Sequence, residues 1–304
     1  MPVPSSLFPP PSSLLPPPCF YTGTMIHIFR PIPVKRLKLL VFDLDGTLID
    51  SAQDLCNSVN AALVHVGRSP LPDPAIAGFV GNGAPMLVRR SLAAADQIST
   101  DHVDQDLQNL AYAFFLEYYR DHKLDFTYAY EGVLDSLHAL HQLHIALHNA
   151  DANSPCPIHS QPHREWVGDQ NASPSTTRNM AVLTNKPVRP ARGICEGLGL
   201  AGYFLHIYGG DSFPLKKPDP LGLRTLMNEV GASPDETVMI GDSQVDVQTA
   251  RNAGVWSIGC TFGFGNDTLT AASPENQPDI LLDSPRDWTS ALSPSALISP
   301  THKN

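Results

Sequence analysis

The sequence predicts an α/β protein: a doubly wound, mostly parallel sheet of the Rossmann-like kind, interrupted by an inserted helical cap. Three observations carry this expectation. Short, continuous apolar runs ended by turn residues recur along the chain, helical patterns stand between them, and one long early stretch is helical throughout. An uninterrupted apolar run of this length suits a strand buried on both faces of a parallel sheet. Strand–helix alternation in turn calls for βαβ units with right-handed crossovers.

Taken in order, residues 1–35 are rich in proline and read as a disordered leader. The leader has no positive n-region and its apolar residues are broken up by proline, which does not fit a signal peptide. No apolar run approaches membrane-spanning length. Met25 lies closer to the ordered sequence and is read as an alternative start. The run LKLLVFD (Leu37–Asp43) opens the α/β core, whose first piece is 36–50.

From 51 to 129 the patterns are helical, with no strand expected. Leu107, Leu110, Ala111, Phe114, Phe115 and Tyr118 make one apolar face at i, i+3, i+4 and i+7 spacing. This segment is the expected helical cap. The core resumes over 130–292, with a helix around Gly132–Leu143. Further strands are expected at Met180–Thr184, Phe204–Gly209, Thr237–Asp242 and Trp256–Cys260, with a short one at Asp279–Leu282. Helices at Val188–Leu198, Pro220–Val230 and Val245–Ala253 alternate with them. Within the core, residues 148–178 are aperiodic and rich in Ser, Pro, Asn and Asp, far longer than an ordinary helix-to-strand link, and read as an inserted loop. Residues 293–304 are expected to be a flexible tail.

The formal net charge is −10, and no long run of lysine or arginine suggests a nucleic-acid partner. Global acidity does not exclude an anionic substrate, because a bound divalent cation reverses the local field. Five scattered cysteines without C-x-x-C spacing point to free thiols in a reducing compartment, hence the cytoplasm.

The densest chemical signal is DLDGTLID after the first strand. Asp43 and Asp45 stand two apart, so an extended chain projects both carboxylates to one side. Gly46 lets the chain turn at the carboxyl end of the strand, where open α/β sheets bind ligands. Crowded carboxylates repel, so one protonates or a cation joins them, and the pair can divide into nucleophile and proton carrier. Thr184 and Asn185 end the second strand, offering a hydroxyl and an amide, or a cap for the following helix. Lys217 precedes Pro218, which keeps it extended and able to reach back over the sheet edge. GDSQVD ends the fourth strand with Asp242 and Asp246. If this strand neighbours the first, the gathered carboxylates form an oxygen-rich site suited to Mg²⁺.

Acid pair, hydroxyl, lysine and acid at four successive strand ends resemble the haloacid dehalogenase-like hydrolases over Leu37 to Asp283. That resemblance implies Asp43 as the nucleophile that becomes an aspartyl-phosphate and Asp45 as the acid that protonates the leaving oxygen and then activates water. It implies Mg²⁺ held by the side chains of Asp43 and Asp242 and the backbone carbonyl of Asp45. Thr184 and Asn185 would hold phosphoryl oxygens, Lys217 would neutralise charge, and Asp246 would orient the set indirectly. An acid at Asp45 speaks against dehalogenation, which needs no leaving-group protonation.

Gly78–Leu92 (GFVGNGAPMLVRRSL), Tyr130–Val133, TNKP and GGDSFPLKKPDP are similar to the phosphoglycolate phosphatases. The implied substrate is 2-phosphoglycolate, a small phosphorylated metabolite, with Gly46 among the substrate-binding residues. Asn82 and Gly83 offer backbone N–H groups to the carboxylate at a helix start, with Arg89 or Arg90 assisting; a tight turn at a hinge is the competing reading of Gly81-Asn82-Gly83. The alternatives within the superfamily are a broader sugar-phosphate phosphatase, a pyrophosphatase or a phosphomutase. A non-catalytic binding protein would have lost one of the acids. Six histidines lie between His138 and His163, but one cysteine and no paired ligand spacing favour a solvated loop over a zinc site. The expected partners are therefore a small metabolite, no nucleic acid and no membrane, in a monomer or homodimer.

Overall fold

The computed structural model describes residues 26–152, 178–265 and 269–293. The strands are β1 (Ile26–Ile28), β2 (Leu39–Phe42), β3 (Ile49–Asp50), β4 (Tyr128–Ala129), β5 (Asn179–Leu183), β6 (His206–Tyr208), β7 (Thr237–Gly241), β8 (Trp256–Cys260) and β9 (Ile280–Leu282). The helices are α1 (Ala52–His65), α2 (Asp73–Ala77), α3 (Ala84–Asp96), α4 (Gln105–His122), α5 (Val133–Ala152), α6 (Val188–Gly197), α7 (Leu221–Val230), α8 (Gln244–Ala253) and α9 (Asp287–Leu292).

Seven strands form one sheet in the order β1-β9-β8-β7-β2-β5-β6, parallel except for the β1–β9 pair. All four residues of β2 are buried, which is why its sequence is apolar without alternation. One face of the sheet carries Leu40, Phe42, Val182 and Ile240 into the larger core, where Phe42 meets the edges of Phe204 and Trp288. The other carries Leu39, Val41, Ala181 and Met239 against Leu223 and Leu226 of α7.

Register decides where chemistry gathers. Phe42 pairs with Val182 of β5 on one side and Ile240 of β7 on the other. Asp43, Thr184 and Asp242 therefore leave the sheet at one rim, where the strand order switches direction about β2.

Four expectations are corrected. The leader does not reach residue 35: β1 pairs antiparallel with β9, Ile32 and Val34 are buried, and Arg30 donates to Asp279 at 2.5 Å. Backbone pairing to an open sheet edge orders this segment, since the β1 side chains are all exposed. Residues 1–25 lie outside the described residues. The segment 51–129 is not free of strand, because Tyr128–Ala129 pairs with Ile49–Asp50 as a two-stranded ribbon where α1–α4 join the sheet domain. The buried face of α4 is centred on Gln108, Ala111, Phe115 and Tyr119, and Leu110 is 54% exposed. Finally, α5 continues to Ala152, so the inserted loop does not begin at 148; residues 153–177, and the tail beyond Ser293, lie outside the described residues.

Asp54 on α1 ties the two connections to the cap together, accepting from Phe126 N, Thr127 N and Thr127 Oγ1. Among the described residues the cysteines Cys56, Cys195 and Cys260 are free and buried, and no helix is long and apolar enough to cross a membrane.

Candidate active site

The DLDGT turn follows directly from β2. Asp43 N donates to Ile240 O at 2.8 Å, continuing the ladder by one residue. Gly46 has φ +84°, and a Cβ there would lie 2.2 Å from Asp242 Oδ2, so both conformation and space require glycine. Its N–H is spent on Ile49 O, and it serves the turn rather than the wall of the cavity described below.

Asp43, Asp242 and Asp246 present carboxylate oxygens within 4.8 Å of one another. Lys217 Nζ, almost wholly buried, lies 2.9 Å from Asp43 Oδ1 and 2.6 Å from Asp246 Oδ1. Asp246 is fixed in the first turn of α8, where Ser243 N and Oγ both donate to its other oxygen at 3.1 and 2.7 Å. Asp242 accepts from Gly265 N at 3.0 Å. One ammonium cannot balance three ionised carboxylates. Burial pushes Asp43 up to about 6, with Lys217 opposing and Asp246 adding to the rise. Burial likewise holds Asp242 well above the usual carboxylate range, with Asp246 and Asp43 reinforcing it. For Lys217, burial works against the charge, but Asp246 and Asp43 outweigh it and keep the ammonium above the usual lysine range. Oxygen donors converging with excess negative charge are the chemistry of a divalent-cation site.

Asp246, expected to orient the set indirectly, brings its carboxylate into the cluster itself. Asp246 joins Asp43 and Asp242, while the Asp45 side chain is engaged elsewhere. Ser51 Oγ donates to Asp45 Oδ1 at 2.6 Å, and Lys186 Nζ lies 3.0 and 3.2 Å from the two Asp45 oxygens. Each acid of the D-x-D pair thus has its own buried lysine. Sequence reasoning missed Lys186, although it stands next to Asn185 at the end of β5. It also missed Tyr119 of α4, whose ring lies 4.6 Å from Lys186 Nζ. Burial works against the Lys186 charge, and Asp45 together with Tyr119 more than restores it, so this ammonium too sits above the usual lysine range.

Thr184 and Asn185 are buried at the same rim. Neither caps α6: Val188 N donates to Asp211 Oδ1 at 2.7 Å, which leaves both free of that task. Thr184 Oγ1 accepts from Lys186 N at 3.2 Å, and Asn185 Nδ2 donates to Gly81 O and Lys217 O at 3.2 and 3.1 Å. The bond to Gly81 crosses to the cap. Gly83 (φ +86°) is pressed against the same loop, since a Cβ there would stand 2.9 Å from Asn185 O, and Lys216 Nζ donates to Asn82 O at 2.6 Å.

A cavity of about 260 Å³ lies between cap and sheet rim. Asp43, Asp45, Thr184, Asn185, Lys186 and Asp242 line it from the sheet side. Asn82, Gly83, Arg90, Phe115 and Tyr119 line it from the cap. Arg89 does not reach it, being bound to Thr100 O and Gln108 Oε1.

Two family models match, both described as haloacid dehalogenase-like hydrolase, over residues 40–148 and 176–254. A phosphoglycolate phosphatase from Pseudomonas putida is 36% identical over 241 residues, covering 78% of this chain and 74% of the relative. One from Vibrio parahaemolyticus is 32% identical over 260 residues, covering 86% and 98%. Among solved structures, a predicted phosphoglycolate phosphatase from Haemophilus somnus superposes with a TM-score of 0.65 at 27% identity, covering 83% of this chain and 96% of its own. With the acid cluster and the lysine-held acid pair at one sheet rim, these matches make the chain a phosphatase that belongs to the haloacid dehalogenase-like hydrolases, within the phosphoglycolate phosphatase family.

Proposed function

We propose that this phosphatase hydrolyses 2-phosphoglycolate to glycolate and phosphate in the cytoplasm, with Mg²⁺ as its cation and residues 51–129 as a cap over a catalytic core formed by 36–50 and 130–292. The observation that carries the reading is the division of the D-x-D pair, in which Lys217 holds Asp43 beside the acid cluster and Lys186 holds Asp45 away from it. Two like carboxylates placed in different surroundings can take different roles.

Mg²⁺ would be held by the side chains of Asp43 and Asp242 and the backbone carbonyl of Asp45, and would supply positive charge where phosphoryl oxygens gather. A carboxylate oxygen of Asp43 attacks phosphorus in line. The Asp43–phosphorus bond forms as the bond to the glycolate oxygen breaks, and Asp45, which takes up a proton when the ester binds, gives it to that oxygen. Asp45, now a carboxylate, takes a proton from water, whose oxygen attacks phosphorus. Phosphate leaves, and both acids return to their starting states. Thr184 through its hydroxyl and Asn185 through its backbone N–H donate to phosphoryl oxygens, the Asn185 side-chain amide being spent on Gly81 O and Lys217 O, while Lys217 balances charge on the nucleophile. Asp246 acts by holding Lys217, to which it is bound at 2.6 Å. At the cap, the backbone N–H groups of Asn82 and Gly83, at the start of α3, would be partners for the carboxylate.

A panel of phosphoesters tests the substrate, with 2-phosphoglycolate expected to give the highest kcat/KM. Turnover of it no faster than of p-nitrophenyl phosphate would refute the assignment. EDTA should silence the enzyme and Mg²⁺ restore it. Asp43→Asn should abolish turnover with the circular dichroism spectrum unchanged, and appreciable residual activity would require another nucleophile.

A further inference from the structure

We infer that Arg90 is the specificity-determining residue of this site, reading a second negative charge on the substrate at the end remote from phosphorus. The inference rests on the phosphoglycolate reading and names the side chain that would recognise the carboxylate.

Both arginines of the cap stand side by side in α3, and the structure separates them. Arg89 is consumed by the cap itself, its Nε donating to Thr100 O at 2.8 Å and its Nη1 to Gln108 Oε1 at 2.5 Å. Arg90 lines the cavity and is tethered by one bond, from Nη1 to Phe79 O at 3.1 Å. A guanidinium carries five N–H donors in a fixed fork, so one backbone tether orients the group without exhausting it. Among the described residues, Arg90 forms no ion pair.

Lys216 is its neighbour in charge. Its Nζ donates to Asn82 O at 2.6 Å, across the boundary between sheet and cap, and it too lacks an ion pair among the described residues. Burial, followed by the positive charge of Arg90, holds Lys216 below the usual lysine range. Arg90 on the cavity wall, with the Lys216 charge close enough to disfavour it and no described carboxylate paired to either, makes a place where an anionic group is stabilised. The sheet side of the same cavity carries Asp43, Asp45, Thr184 and Asn185, so an ester with its phosphoryl group on that side would present its other anion to the cap. Bidentate pairing with a planar carboxylate is the geometry that arginine offers and lysine does not.

The experiment compares 2-phosphoglycolate with 2-hydroxyethyl phosphate, an ester of similar size whose far end is neutral. In the wild type, kcat/KM should favour the carboxylated ester. Arg90→Met keeps the aliphatic stem and removes the charge. It should lower kcat/KM for 2-phosphoglycolate by about 10- to 100-fold, through KM more than kcat, with far less change for the neutral ester, so that the preference collapses. Arg90→Lys should retain an intermediate preference, and it carries the test if Arg90→Met does not fold, as judged by circular dichroism. A wild type that prefers the carboxylated ester, together with a folded Arg90 variant that keeps the full preference, would overturn the assignment to Arg90 and leave the phosphoglycolate reading standing. A wild type with no preference would overturn both.

Discussion

Lys186 offers the sharpest test of the site's design. Its ammonium is 3.0 and 3.2 Å from the two Asp45 oxygens, and the side chains of the pair are 3% and 14% exposed. At about 3 Å and an effective dielectric of about 20, Coulomb's law puts the attraction near 5 kcal/mol, most of which offsets the loss of hydration. Removing one member of such a pair leaves the other charge buried, a cost of about 3 kcal/mol or more. Lys186→Met should therefore lower the melting temperature by roughly 6–12 °C at 2–4 °C per kcal/mol. In an Asp45→Asn background the same substitution should cost far less, because no unpaired carboxylate remains. Melting is read by calorimetry in EDTA, which keeps bound metal out of the comparison. In the catalytic assay, Lys186→Met should reduce kcat about 100-fold or more by freeing the acid that must meet the leaving oxygen. Equal destabilisation in both backgrounds, or kcat within threefold of wild type, would show that the pairing with Asp45 is not what Lys186 contributes.

Two further outcomes follow from the acid cluster and its turn. Asp43 has its folded-state pKa raised from 3.8 to about 6, so the folded protein binds a proton that the unfolded chain releases. The ionised form costs stability at pH above 6, and that cost is relieved as pH falls from about 6 towards 3.8, by up to about 3 kcal/mol at 1.36 kcal/mol per unit. Melted in EDTA, the protein should gain stability between pH 7.5 and 5, and saturating Mg²⁺ should flatten that gain; a steady loss over the same range without metal would contradict the reasoning. Gly46→Ala places a Cβ 2.2 Å from Asp242 Oδ2 at a φ of +84°, so Asp242 must move. The Mg²⁺ concentration for half-maximal activity should rise at least about tenfold, and an unchanged value would mean that Asp242 takes no part in holding the cation.

Much of the site was legible before any coordinates. Asp43, Thr184, Lys217 and Asp242 could be located because each sits one or two residues from the end of an apolar run or a proline-marked turn, and strand ends in a parallel sheet share one rim. The helices α6, α7 and α8 were legible for the related reason that each stands between two such runs. Lys186 escaped notice because a lysine beside a strand end reads as solvated until the partner that buries it is known. Tyr119 escaped because the apolar face of α4 was placed over Leu110, which faces solvent.

Periodicity, turn residues and the order of the motifs were enough to determine a doubly wound sheet, an inserted helical unit and an acid-rich rim, since those depend on local pattern and on the topology it permits. What only the tertiary structure decided was pairing across distance. Asp45 and Lys186 are 141 residues apart in the chain, and Lys217 and Asp246 are 29 apart. Strand β1 is ordered by a β9 edge that its own residues do not advertise, and Arg89 and Arg90 differ only in which of them points at the cavity. A side chain's charge and burial are properties of its neighbours, and neighbours brought together by folding leave no mark on the spacing between them.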